Sequence, residues 1–518
     1  MIRSVTNFNS RLTFVLLLLA LSCLVSAAVS AETADSDTLE LDLYKAVAIA
    51  LGESPDAFYS QNSIDQSYLS FRSAAIDMYS PQFDIDLLSP SLSQSLNEQL
   101  VYSPDQGQTV RQWIEIENER MQGQLGIDQP LPTGGQIRLE SVLYRRFYSN
   151  DLTGDENDVE YSSTYRVNFS QELLRGNLRR YAKEQAELVY ERARLNALQS
   201  QRGLVFNVLE AYYGLLASWR ELEITSADLS ANQETASLAE RKYEAGLIPE
   251  VEALQMAVEA ARVETELLSA QANYDGQLDR FRDLIGIPLD RAIRIVGDPS
   301  FEKTEVSLDD AIEMALQLRN DIRMANIAVD QAELGLKNTR RPWKIGGQLT
   351  AFYNLDLRAD NFESSLSDKY QDYAVNRGFA VNVNIPLFSG GRKNIDVQTA
   401  QLALRRARFD ATQAEKGLVL EVRTAVRSLN ESRRRYEISL SSLEIAEKSF
   451  DISRQRFVNG QITAREWIDA QNSVNRIRIS TSRAIMDHNV ALARYRLTVG
   501  ENILSGVVIT SPKPGSDL

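Results

Sequence analysis

Hydrophobic positions along the chain follow two different periods. Val205, Val208, Tyr212, Leu215, Trp219 and Leu222 are spaced three, four, three, four and three residues apart. That is the apolar seam of a coiled coil, and it predicts a helix that packs along one narrow stripe. Val419, Val422, Val426 and Leu429 keep the same register further on. No proline and only Gly203 and Gly214 interrupt the stretch from Leu178 to Tyr243. The predicted helix is therefore about 100 Å long at 1.5 Å per residue. Aromatic residues on such a seam are read as packing knobs, not as a cofactor site. One seam per helix suits a wall or tube of helices better than a globule.

The second period is two. It runs through Ile137–Leu143, Tyr161–Phe169, Leu349–Leu357 and Phe379–Leu387, with mostly polar residues between the apolar ones. Each run is about ten residues, the length of a tilted membrane strand. The loops between paired runs, 149–160 and 359–376, are acidic and polar, as exterior loops are. A soluble sheet would need helices over its apolar face. Here the helices have seams of their own, which favours a face turned to lipid. Four strands cannot close a barrel, because the smallest membrane barrels have about eight. Lipid does not tolerate an open edge, so closure must come from several chains, two giving eight strands or three giving twelve.

The chain also repeats itself. Leu43-x-x-Ala46-x-x-x-Ala50-Leu51 recurs at an offset of 265 as Leu308-x-x-Ala311-x-x-x-Ala315-Leu316. At an offset of 214, Val167-Asn168, Arg192-Ala193-Arg194, Gly246 and Gly286 recur as Val381-Asn382, Arg406-Ala407-Arg408, Gly460 and Gly500. A collinear set of this kind means two copies of one unit. The expected organisation is repeat 1 over 32–296, a linker at 297–306, repeat 2 over 307–500 and a tail at 501–518. Each copy reads as a helix (40–78; 307–340), a strand region, then a very long helical region (178–285; 392–498). The long region turns once, at Gly246 or Gly460. A basic last turn and a glycine end the first helix, Pro249 opens the next in copy 1, and Thr463-Ala464-Arg465-Glu466 forms a capping box in copy 2. Copy 1 carries about 51 extra residues, near 82–130, which look like additional strands and a turn at Pro130–Gly135.

Residues 1–31 read as a cleaved secretory signal: Arg3 and Arg11, an apolar core from Phe14 to Val25, and Val29-Ser30-Ala31 for cleavage. Cys23 lies inside it. Ala20-Leu21-Ser22 before it is a poor lipobox, so the cysteine is taken to leave with the leader. No later stretch reaches the ~18 consecutive apolar residues of a transmembrane helix.

Composition then removes whole classes of chemistry. The chain has 518 residues, 56 Lys+Arg against 71 Asp+Glu, a net charge of −15 and a pI of about 4.9. That balance argues against nucleic acid. One cysteine and one histidine exclude a disulfide scaffold, a His/Cys zinc site and haem held by two side chains. His488 is read as structural. No nucleophile–base pair, phosphate-binding loop or metal constellation points to an enzyme, a metal or a cofactor.

Ile385-Pro386-Leu387-Phe388-Ser389-Gly390-Gly391-Arg392, where a strand hands over to a long helix, and the two tips at Gly246-Leu247 and Gly460 resemble the TolC family of outer-membrane efflux proteins. The likeness covers essentially the whole chain after the leader. Copy 1 has Glu172 where the family usually has proline, followed by Gly176. The resemblance implies a mixed α/β membrane protein: a homotrimer with a 12-stranded β-barrel, four strands per chain, in the outer membrane of a Gram-negative bacterium, and a coiled-coil α-helical barrel across the periplasm. It implies a passive exit duct for small molecules or secreted proteins. The partners would be outer-membrane lipid, a periplasmic adaptor (membrane fusion protein) and an inner-membrane pump of the RND, ABC or MFS type, as in a tripartite efflux pump or type I secretion system.

The resemblance also carries residue roles. Glu466 and Asp469, one helical turn apart, would form the pore constriction, with Glu252 as the acid of the copy 1 tip. The family's polar latch would fall on Phe457 and Ile462, so Arg465 is the candidate substitute. Gly246, Leu247, Asn459, Gly460 and Gln461 would be the adaptor-docking tips. Pro386, Leu387, Gly390, Gly391 and Gly176 would form the strand-to-helix junctions. The competing reading is a periplasmic coiled-coil adaptor or scaffold. An adaptor would carry a lipoyl-like module between its helices and would lack four lipid-length strands in two related pairs.

Overall fold

The structure, a computed structural model, describes residues 39–103, 107–150, 158–359, 361, 363–364, 372–504 and 513–514. The leader and Cys23 lie outside them.

The long helices of the two copies repeat residue for residue. Copy 1 has α1 (Leu43–Glu53), α2 (Pro55–Tyr79), α3 (Leu178–Glu244) and α4 (Glu250–Ile285). Copy 2 has α5 (Leu308–Leu318), α6 (Asn320–Arg340), α7 (Arg392–Val458) and α8 (Ala464–Val499). Both long helices have 67 residues and both return helices 36, with every boundary shifted by 214. The single helix expected at the head of each copy is instead two. Pro55 breaks the first, and the second breaks at Arg319, whose ψ of 132° is extended. The Arg319 guanidinium holds the break, donating to Asp321 and, at 3.2 Å, to the Leu497 carbonyl.

Two compact units share these elements. One comprises Met1–Pro55, Asn207–Glu302 and Arg434–Val490; the other comprises Asp56–Phe206, Lys303–Arg433 and Ala491–Leu518. In the first, α1 packs on α4, and two short strands, β1 (Leu39–Leu41) and β6 (Ile293–Ile295), pair in parallel. The seam residues Val208, Tyr212 and Leu215 are buried, and Tyr212 meets Phe281 at 6.4 Å between ring centroids. In the second, Ala311, Ala315, Val422, Leu429, Tyr495 and Val499 form the equivalent core. Leu418 is buried at its start and Val419 only half-buried, one residue off the predicted seam. His488 is fully buried, with Nε2 3.1 Å from the Glu302 carbonyl and its ring on Phe301.

The second unit holds one antiparallel sheet of β2 (Gln82–Ser103), β3 (Gln108–Pro130), β4 (Gln136–Asn150), β5 (Asp158–Glu172), β7 (Gly346–Ala359) and β8 (Asp372–Asn384), in that spatial order. The four predicted strands are β4, β5, β7 and β8. The run expected to reach Leu387 stops at Asn384, two residues before Pro386. The sheet has six strands rather than four because the extra residues of copy 1 fold as β2 and β3 and pair onto β4. The turn between β3 and β4 closes with Leu131 donating to the Gly135 carbonyl at 2.9 Å, and Gly134 takes a φ of 92°.

Candidate functional site

The two faces of the sheet differ in kind. Residues paired across strands lie on the same face. Ile85, Leu125, Ser141, Tyr165, Leu355 and Val375 therefore stand side by side, one from each strand. Apolar side chains on this face are open to solvent in the single chain: Phe83 is 69% exposed, Leu87 81% and Phe379 80%. The opposite face is polar and internally bonded. Arg138 donates to Asp128 at 3.0 Å and to Glu140 at 2.6 Å, and Thr164 Oγ1 donates to Asp356 at 2.6 Å. An apolar outer face over a polar inner one is the pattern of a barrel wall between lipid and water.

The junctions follow from local chemistry. Past Pro386, Leu387 and Phe388 are each 90% exposed. Gly390 and Gly391 then hold φ of 58° and 85°, a left-handed pair that turns the chain into α7, and the Ser389 carbonyl receives the Arg392 N–H at 3.0 Å. Copy 1 does this with different residues. Asn177, in the place of Gly391, caps α3 by accepting from the Arg179 and Arg180 N–H groups at 2.9 and 3.2 Å. The Gly176 carbonyl accepts from Arg341 Nε at 2.7 Å.

At the hairpin turns, Gly246 and Gly460 have φ of 69° and 71°. Each turn closes with a six-residue bond at 2.8 Å, from Leu247 to the Lys242 carbonyl and from Gln461 to the Arg456 carbonyl. Thr463 and Glu466 cap α8 reciprocally. The Glu466 carboxylate accepts from the Thr463 N–H at 2.9 Å and from its hydroxyl at 3.0 Å, and the Glu466 N–H reaches Thr463 Oγ1 at 3.3 Å. The bonds from Thr463 hold the Glu466 carboxyl below the usual carboxylate range. Leu247, Glu252, Gly460, Gln461 and Glu466 line one cavity of about 300 Å³. Asn459, Arg465 and Asp469 are exposed and do not line it.

Phe457 and Ile462 are packed, not latched. Phe457 stacks on Trp467 at 5.3 Å, Phe450 meets the same indole at 5.1 Å, and Ala239, Met256 and Ala464 complete an apolar cluster between the hairpins. Further along lies a polar belt that the apolar pattern did not reveal. Gln471 Nε2 donates to Asp228 at 2.6 Å, and Asn232 Nδ2 donates to the same carboxylate at 2.9 Å. Arg262 Nη2 donates to Asn472 Oδ1, and Asn472 Nδ2 to Glu259, both at 2.9 Å. Burial pushes the Asp228 carboxyl up. The available signal was a heptad of small and polar residues on α3, Ser218, Thr225, Asn232 and Ala239, all buried.

An array of apolar-out, polar-in strands on a chain with two matched helical hairpins defines a class: the subunit of a membrane channel with an α-helical extension. Residues 141–287 and 311–500, more than half of the chain, match the family described as outer membrane efflux protein. The chain belongs to that family. It is 23% identical over 344 residues to Outer membrane protein TolC of Vibrio cholerae, covering 64% of this chain and 76% of that one. It is 22% identical over 327 residues to Alkaline protease secretion protein AprF of Pseudomonas aeruginosa, covering 62% and 66%. Among solved structures, the CmeC outer membrane channel of Campylobacter jejuni shares the fold with a TM-score of 0.66 at 15% identity, over 88% of this chain and 85% of that one. The protein is thus an outer-membrane efflux channel of the Gram-negative envelope, extending into the periplasm.

Proposed function

We propose that three copies of the chain close into one duct, which conducts small molecules or secreted proteins passively from an inner-membrane pump across the periplasm and outer membrane. The observation that carries this is a bare heptad stripe on α7. Ile395, Leu402 and Phe409 recur every seven residues, as do Ile438, Ile445 and Ile452, and all six are exposed in the single chain. Apolar residues at that spacing mark a helix face made to be covered by another helix. The sheet makes a matching demand, because β2 and β8 end it with unpaired backbone groups that lipid cannot satisfy.

In this reading Glu466 and Asp469 each contribute a ring of three carboxylates to the constriction, with Glu252 and Arg465 beside them. Gly246, Leu247, Asn459, Gly460 and Gln461 present the turns to a periplasmic adaptor, which links the duct to a pump of the RND, ABC or MFS type. The duct does no chemistry, and the pump supplies the energy. Envelope fractionation followed by gel electrophoresis without boiling tests it. A band of three chain masses in the outer-membrane fraction is expected. A monomer in the soluble periplasmic fraction overturns the reading.

A further inference from the structure

The extra residues of copy 1 do not form an appendage. β3 pairs with β4 from Ile116 to Pro130, as far as β4 itself runs, and β2 pairs with β3 along its length apart from one irregularity. The ladder is therefore continuous from β2 to β8. The apolar face is continuous too. Phe83, Ile85 and Leu87 on β2, and Met121 and Leu125 on β3, are on the same face as Leu139 on β4, and all are exposed.

The irregularity is informative. In β2 the apolar residues switch from odd numbers (83, 85, 87) to even ones (Leu92, Leu96, Leu100), which in a regular strand would move them to the other face. The register shifts between Leu88 and Ser91, around Pro90, so that Leu88 pairs with Gln122 and Ser91 with Arg120. Two residues of β2 thus stand opposite Met121, and this β-bulge returns Leu92, Leu96 and Leu100 to the face of Phe83. On that face Leu92, Leu96 and Leu100 pair with Glu119, Glu115 and Arg111, so the apolar band of this hairpin is carried by Phe83, Ile85, Leu87, Met121 and Leu125.

Resting on the trimeric duct proposed above, we infer that β2 is the edge that pairs with β8 of the next copy, so that three chains close an eighteen-stranded barrel rather than a twelve-stranded one. Barrel diameter grows roughly in proportion to strand number, so the membrane bore is about half again as wide. Both exposed edges are then consumed.

Single-cysteine variants in a Cys23→Ser background test this. A bimane label is placed at Leu87→Cys on β2 and, separately, at Val381→Cys on β8, and the protein is reconstituted in vesicles of phosphatidylcholine with brominated chains. Comparable quenching at the two positions is expected. Quenching at 381 but not at 87 overturns the wider barrel and leaves the duct standing. Quenching at neither overturns the membrane sheet itself. A second arm uses a short bis-maleimide on the double variants Val381→Cys/Ile85→Cys and Val381→Cys/Leu139→Cys. Cross-links between chains are expected for the first. Cross-links for the second alone mean that β4 is the edge, and overturn the inference.

Discussion

Gly286 and Gly500 hold corresponding places at the ends of the two return helices, with φ of 80° and 84°. Each also lets a backbone pass close by. A Cβ on Gly286 would lie 2.4 Å from the Glu53 carbonyl oxygen, and one on Gly500 would lie 2.9 Å from Leu318 Cβ. Both contacts fall at the break between the first two helices of their copy. Gly286→Ala is therefore expected to destabilise the protein by roughly 1–3 kcal/mol, since it adds left-handed strain to a clash with rigid backbone. Thermal unfolding measures it, and an unchanged midpoint would show that the contact is not made. The pairing of these glycines was legible in the sequence, because both sit at one offset. Their reason was not, because Glu53 is far away in the chain and nothing local marks it as a neighbour.

Element boundaries were legible wherever local chemistry sets them. Gly246 and Gly460 ended helices as expected, and the Thr463–Glu466 box began one. The break at Arg319 was not legible, since it depends on an ion pair with Asp321 and a bond to a carbonyl in α8. β2 was legible only as one of the additional strands near 82–130, without bounds: its alternation changes phase at the bulge, so no single period-two run covers it. The polar belt escaped because a search for apolar seams passes over Ser218, Thr225 and Asn232. That belt carries a pH prediction. Burial raises the Asp228 pKa, so the folded state favours the protonated acid. Its contribution to stability is present at low pH and is lost as pH rises through the raised pKa, above the ordinary value of about 3.9. Asp228→Asn keeps an amide oxygen for Gln471 and removes the titration. The thermal midpoint of the variant relative to wild type is expected to climb as pH rises above about 4. A constant difference across that range would mean that Asp228 titrates as it does in the unfolded chain.

The proposed assembly would give the acidic turn a meaning that one chain does not. In a single chain Glu466 is a helix cap and Asp469 an exposed carboxylate one turn later. In the proposed trimer the same residues would become two stacked rings, where like charges would concentrate cations and the side chains would narrow the path. The two roles of Glu466 separate from each other through Asp469. Glu466→Ala removes both cap and charge, whereas Asp469→Ala leaves the bonds between Thr463 and Glu466 in place. Asp469→Ala is therefore expected to raise single-channel conductance in planar bilayers and to weaken block by multivalent cations, with thermal stability unchanged. The change in block should be larger near 0.1 M salt than near 1 M, because the screening length falls from about 10 Å to about 3 Å. Unchanged conductance would remove Asp469 from the constriction. A change in conductance that arrives together with lost stability would assign the effect to the fold of the turn rather than to the ring.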